Sequence, residues 1–170
     1  MIARLGFCSI AVVEDEPTAE YPVAVTSIAR FPTGGVVVSA SRALVELQLF
    51  QGGLAPHVMV GGSFTPVPGL QCVEVQVQLG LGPRRSCRSL LSGRRLFAGL
   101  SDEYVEPVIE GLQGALATGD GIVTIDRFGF DPVDTSAYVG ELTASILGRA
   151  LSLGRVPEED QAAAWLKMVR

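Results

Sequence analysis

Residues 130–153 read FDPVDTSAYVGELTASILGRALSL, a run of helix-capping residues leading into a helical repeat. Asp134, Thr135 and Ser136 each offer an oxygen to the free amides of a helix start, and Pro132 keeps a helix from beginning sooner, so one of the three is the expected N-cap. From there Val139, Leu142, Ile146 and Leu153 recur at helical spacing, while Glu141, Ser145, Arg149 and Ser152 repeat on another face. Gly154 is the expected stop. Ala137, Ala144 and Gly148 form a third stripe of small residues. An interior glycine costs about 1 kcal/mol against alanine, so the stripe predicts a second helix at close approach.

A partner is present upstream, where residues 100–119 read LSDEYVEPVIEGLQGALATG. Ser101 reads as a cap, Asp102 and Glu103 fall in the favourable first turn, and Gly119 lies past the end. Val105, Ile109, Leu112 and Leu116 make the apolar stripe. Pro107 is too deep for a helix capped at Ser101, so the regular helix is expected near Glu106, with Ser101 to Val105 as a separate turn.

These two segments resemble the fourth domain of translation elongation factor G, the domain that reaches toward the decoding centre. Glu103-Tyr104-Val105, Val108, Gly111-Leu112-Gln113 and Ala115 match the family's helix after its PKEY turn. Phe130, Pro132-Val133-Asp134, Ser136 and Ala150 match its aromatic-x-x-V-D-[ST]-S loop and the helix that follows. Gln51-Gly52-Gly53 is similar to the family's other, glycine-rich tip loop. The similarity covers about residues 100–153, with a weaker extension back to about 43. It implies a tip loop carried by Phe128, Phe130, Asp131, Pro132 and Asp134 and presented to RNA. Two departures stand out: Asp131 where the family usually carries a histidine, and Phe128 where it carries a glycine.

The composition is that of one folded domain. The chain has 170 residues, 48% hydrophobic and 18% charged, enough for a sizeable core and too apolar for disorder. One domain is expected over 1–170, with its core at about 23–154 and a C-terminal helix over 157–170 whose Ala162, Trp165, Leu166 and Val169 share a face. No apolar run is long enough for a membrane helix, and the odd cysteines Cys8, Cys72 and Cys87 form no CxxC pair, so a reducing cytoplasmic setting is expected. Arginine greatly outnumbers lysine, as in GC-rich bacterial genomes. Lys167 is the only lysine and there is no GxxxxGK[ST] loop, which excludes a GTPase of the phosphate-loop type.

A net charge of −5 disfavours a generic nucleic-acid binder on the global field, yet Arg84, Arg85, Arg88, Arg94 and Arg95 crowd into GPRRSCRSLLSGRR. Leu90, Leu91 and Phe97 are expected to anchor a short helix there and leave the arginines in water, where they are the candidate contacts for backbone phosphates. The patch has no interleaved aromatics to stack bases.

Leu5 to Val13, Val23 to Ala29, Val36 to Ser39 and Ile122 to Phe128 read as strands. Val45, Leu47 and Leu49 alternate with Glu46 and Gln48, and Val73, Val75, Val77 and Leu79 alternate with Glu74, Gln76 and Gln78. Each is expected to bury one face and wet the other, the two pairing as antiparallel neighbours with the glycine- and proline-rich stretch between them as an excursion. Strands followed by helices give an α+β fold, a two-layer sandwich with helices on one face of a mostly antiparallel sheet. The resemblance further implies the left-handed βαβ crossover of the elongation factor's fourth domain.

Candidate chemistry is thin. His57 is the only histidine; with Cys72 or Cys87 it would make a nucleophile pair, but no flanking motif accompanies it. No metal site and no cofactor are expected. Asp131 and Asp134 flank a proline and have the residue types of an acid–base pair, although capping and exposure explain them more simply. The expected function is a non-catalytic module contacting the ribosome or structured RNA. The alternatives are a structural protein that keeps the fold and assembles, as a homo-oligomer, through Trp165 or a sheet edge, and a small-molecule enzyme, since the fold implied by the resemblance hosts unrelated activities.

Overall fold

The computed structural model describes residues 1–14, 16–32, 34, 39–50, 52–80 and 85–167. Among these, the strands are β1 (Ile2–Leu5), β2 (Cys8–Val13), β3 (Val23–Pro32), β4 (Ser41–Leu49), β5 (His57–Pro66), β6 (Cys72–Gly80), β7 (Arg85–Arg88), β8 (Arg95–Ala98) and β9 (Gly121–Phe130). The helices are α1 (Val105–Gln113), α2 (Ala137–Leu153) and α3 (Glu159–Lys167). The strand expected at Val36 to Ser39 falls largely outside the described residues.

The sheet runs in the order β1-β2-β4-β5-β9-β6-β3, with the β7–β8 hairpin joined to the end of β9. Only β6 and β9 are parallel; every other pair is antiparallel. The fold is therefore α+β, with a mostly antiparallel mixed sheet. The helices cover one face, through Val45, Leu47, Val58, Val60, Val75 and Val123 beneath Val108, Leu112, Leu147 and Leu151.

The β4 and β6 segments are not neighbours. β5 and β9 lie between them, and the stretch expected to be an excursion contains β5. Its Gly61-Gly62 pair resembles a turn in sequence but sits mid-strand. A Cβ on Gly62 would stand 2.2 Å from the Thr124 carbonyl oxygen, so here the glycines serve close strand approach. The register with β9 shifts at this point, Gly61 pairing with Arg127 and Gly62 with Ile125. The extra residue changes the alternation, so that Phe128 and Phe130 join Val123 and Ile125 in the helix-side core, against Tyr104 at ring separations of 5.1 and 5.6 Å.

Glu46 and Gln48 are not wet, as alternation alone would have them. They are buried, because the β7–β8 hairpin folds over that face. Ala19, Leu44, Met59, Cys87, Leu96 and Ala98 form a second small core beneath it. The expectations for the two paired helices hold closely. A 3-10 turn over Asp102–Tyr104 precedes α1, and α2 begins after Ser136 and stops at Gly154, whose φ is +68°. α1 ends at Gln113, earlier than Gly119 would place it. The two helices touch where Gly111 meets Glu141 and Gly148 meets Ala115. α3 docks Ala162 and Leu166 on the core with Trp165 half-buried beside them; Val169 lies outside the described residues.

Candidate functional site

The arginine segment forms a hairpin rather than a helix. Cys87 pairs with Leu96 and faces inward, whereas Arg88 pairs with Arg95 and faces water. This two-residue alternation is what a helical reading of Leu90, Leu91 and Phe97 misses. The turn closes through Ser89 N–H to the Arg94 carbonyl at 2.9 Å and Gly93 N–H to the Ser89 carbonyl at 3.0 Å. Arg85, Arg88, Arg94 and Arg95 are all exposed; Arg84 lies outside the described residues. Among the described residues, no carboxylate pairs with Arg88 or Arg95. Ser86, Arg88, Gly93 and Arg95 line an open hollow of about 490 Å³.

Beneath the turn, Glu46 is fully buried and gathers donors. Its Oε1 accepts from the Ser89 hydroxyl at 2.5 Å and contacts His57 Nε2; its Oε2 accepts from the Leu90 amide at 2.5 Å. Ser89, His57 and Glu46 have the residue types of a hydrolytic triad but not its order. The Ser89 hydroxyl donates its hydrogen bond to the carboxylate itself, Ser89 Oγ accepts from the Ser92 amide and hydroxyl, and Ser89 Oγ to His57 Nε2 is 3.4 Å. The cluster anchors the hairpin.

His57 has no bond to Cys87. Burial, and secondarily the Glu46 charge, pushes the Cys87 thiol up to about 11, which leaves it a poor nucleophile. Cys72 sits at the far end of β6, opposite Pro32. Among the described residues, no group of three or more His, Cys, Asp and Glu side chains is placed to hold a metal.

The loop after β9 reaches the same place from the other side. The backbone carbonyl of His57 accepts from the Asp131 amide at 3.3 Å and from the Thr135 hydroxyl at 2.8 Å. Asp131 Oδ1 accepts from the Val133 amide at 3.0 Å, so this carboxylate closes its own turn rather than pairing with Asp134. Thr135 spends its hydroxyl on His57, and Ser136 occupies the cap position without a side-chain cap bond. Pro132 and Val133 are exposed, Val133 by 86%, and Asp134 is half-exposed. Phe128 and Phe130 belong to β9 and are buried, so they support the loop from within instead of forming its tip.

Arg94 Nη2 lies 3.8 Å from Asp131 Oδ2, which joins the hairpin turn to this loop. The glycine-rich turn between β4 and β5 lies at this end too, since Gln48 pairs with His57 and Val58 with Phe130. Gly52 and Gly53 take φ of +58° and +86° there; Gln51 lies outside the described residues. Three segments separate in sequence thus share one end of the molecule. Sequence reasoning singled out all three; it missed Glu46, which reads as an ordinary wet position in an alternating strand. No protein-family model, curated protein or solved structure matches the chain.

Proposed function

We propose that this chain is a non-catalytic, translation-factor-like module whose loop end contacts ribosomal or other structured RNA. The observation that carries the reading is the Arg88–Arg95 pair. Like charges directly opposite on neighbouring strands oppose hairpin formation, and no carboxylate among the described residues relieves them. A phosphate would. The exposed Pro132-Val133 turn and the glycine-rich turn flank the arginines, consistent with the resemblance to the elongation factor's fourth domain. On the same resemblance, the connection from β6 through α1 to β9 is proposed to cross with the left hand. Co-sedimentation with ribosomal subunits tests the function. Binding is expected at low salt, weakening as salt rises, and further weakened when Arg85, Arg88 and Arg95 are all replaced by alanine; no pelleting at any salt would sink the reading.

A second reading, assembly through a sheet edge, is favoured by β3. Among the described residues this ten-residue strand has one neighbour, β6, and exposes Val25 by 57% and Ile28 by 54%. Its one charge, Arg30, is held by Glu74 at 2.7 Å, so no free charge guards the edge. A concentration-dependent dimer abolished by Ile28→Lys would support this reading.

A further inference from the structure

Arg4, Ser9, Gln48 and His57 stand directly opposite one another across four adjacent strands, β1, β2, β4 and β5. They form a polar row on the sheet face away from α1 and α2. His57 is absorbed by Glu46; the other three are not. Ser9 and Gln48 are each 7% exposed, their side-chain polar atoms are open to the hollow and make no hydrogen bond among the described residues, and Arg4 is exposed and makes no ion pair there. All three line a hollow of about 340 Å³, walled by Phe50 from the end of β4 and Leu91 from the hairpin turn.

A concave site with an apolar wall and a few convergent polar groups is the usual form of a ligand pocket. Cys8 also lines the hollow, and burial raises its thiol above the ordinary value, so among the described lining residues Arg4 supplies the one charge. A bare anion would call for donors alone. Here one cation is joined by a carboxamide that both donates and accepts and by a half-exposed aromatic ring. That combination suits a planar heterocycle with a polar edge and an attached phosphate: base stacking on an aromatic is tolerant of sequence, and guanidinium suits phosphate.

We propose that this hollow binds a single nucleotide, with the base against Phe50 and Leu91, its polar edge on Gln48 and Ser9, and its phosphate on Arg4. The inference deepens the RNA-contact reading and rests on it for biological context, because the hollow adjoins the arginine hairpin through Leu91. The nucleotide has two sources, a free mononucleotide or one unit of an RNA strand, and the test separates them.

The full chain would be titrated at low salt with adenosine monophosphate, with inorganic phosphate and with an RNA octamer, following backbone amides by NMR. Saturable shifts confined to residues 4–9 and 48–50 are expected with the mononucleotide or the octamer. Response to the octamer alone assigns the site to a strand and supports the proposal equally. Phe50→Ala and Gln48→Leu should each weaken binding by about tenfold, the loss typical of one stacked base or one paired amide. Phe50 is 48% exposed, so Phe50→Ala should leave the unfolding temperature close to unchanged, which separates lost binding from lost folding. Phosphate shifting the same amides as strongly as the mononucleotide, with no change in Phe50→Ala, overturns the proposal, as does silence from both nucleotide ligands. The triple arginine variant should still bind the mononucleotide. A failure of ribosome pelleting alongside intact mononucleotide binding would remove the RNA-contact reading and leave the nucleotide site supported.

Discussion

At the scale of single residues, Glu46 decides how the loop end is built. Four donors converge on its two oxygens: the Ser89 hydroxyl, the Leu90 and Leu91 amides and His57 Nε2. The carboxylate is fully buried, and hydrogen bonds to a charged acceptor are worth more than neutral ones. Glu46→Gln keeps the shape and removes the charge, so it is expected to cost about 2 kcal/mol in urea unfolding. It should also speed hydrogen exchange at the Leu90 amide. An unchanged exchange rate there would mean that the hairpin turn is held by something other than Glu46. His57 ties the same carboxylate to the Asp131 loop, its imidazole serving one and its backbone carbonyl the other. Its Nδ1 is buried without a partner, so this side chain is kept at some cost.

At the scale of elements, the helix pair depends on backbone contact rather than on side-chain bulk. A Cβ on Gly111 would stand 2.1 Å from the Glu141 carbonyl oxygen, which cannot move without shifting α2. Gly111→Ala is therefore expected to destabilise by about 3 kcal/mol despite alanine's better helix propensity. Gly114→Ala makes the control: the nearest atom is 3.7 Å away and the residue has φ of −73°, so the change should be neutral or stabilising by up to about 1 kcal/mol. Thermal unfolding of both variants checks the contrast.

The edge strand β3 yields a pH prediction. The Gln76 amide and then Arg30 hold the Glu74 carboxyl below its ordinary value of 4.5. A carboxyl whose folded value is depressed contributes stability that is present above the unfolded value and lost as pH falls through the folded one. Stability should therefore decline below about pH 4.5, and Glu74→Gln should flatten that limb of the pH–stability curve. An identical acid limb in the variant would place the titration elsewhere.

At the scale of the whole molecule, charge is separated. The chain carries −5 overall, and its arginine cluster is gathered on one hairpin. The acidic bulk opposes indiscriminate binding to nucleic acid, while the hairpin orients the approach of a polyanion. Replacing Arg85, Arg88 and Arg95 by alanine removes mutual repulsion and no ion pair among the described residues, so the unfolding temperature should hold or rise. The same variant should lower the slope of log affinity against log salt by about 2, the yield of three phosphate contacts on a single strand. A drop in stability with an unchanged slope would make the arginines structural.

Local chemistry settled much of this protein. The loop-to-helix stretch at 130–153, the separate turn before α1, the Gly154 stop and the contact between the two helices follow from caps, periodicity and small-residue stripes, all short-range signals. The α+β class follows from the order of those elements. Pairing did not follow: alternation in β4 and β6 reports a buried face but not the neighbour, and only the closed sheet inserts β5 and β9 between them. Nor did the fate of Glu46 and Gln48, because an alternating strand looks the same whether its second face meets water or a hairpin from forty residues away. The bulge that turns Phe128 and Phe130 inward, and the meeting of Arg94 with Asp131, likewise depend on register between distant segments. Such long-range pairing is set by the closure of the whole core, which no window of sequence contains.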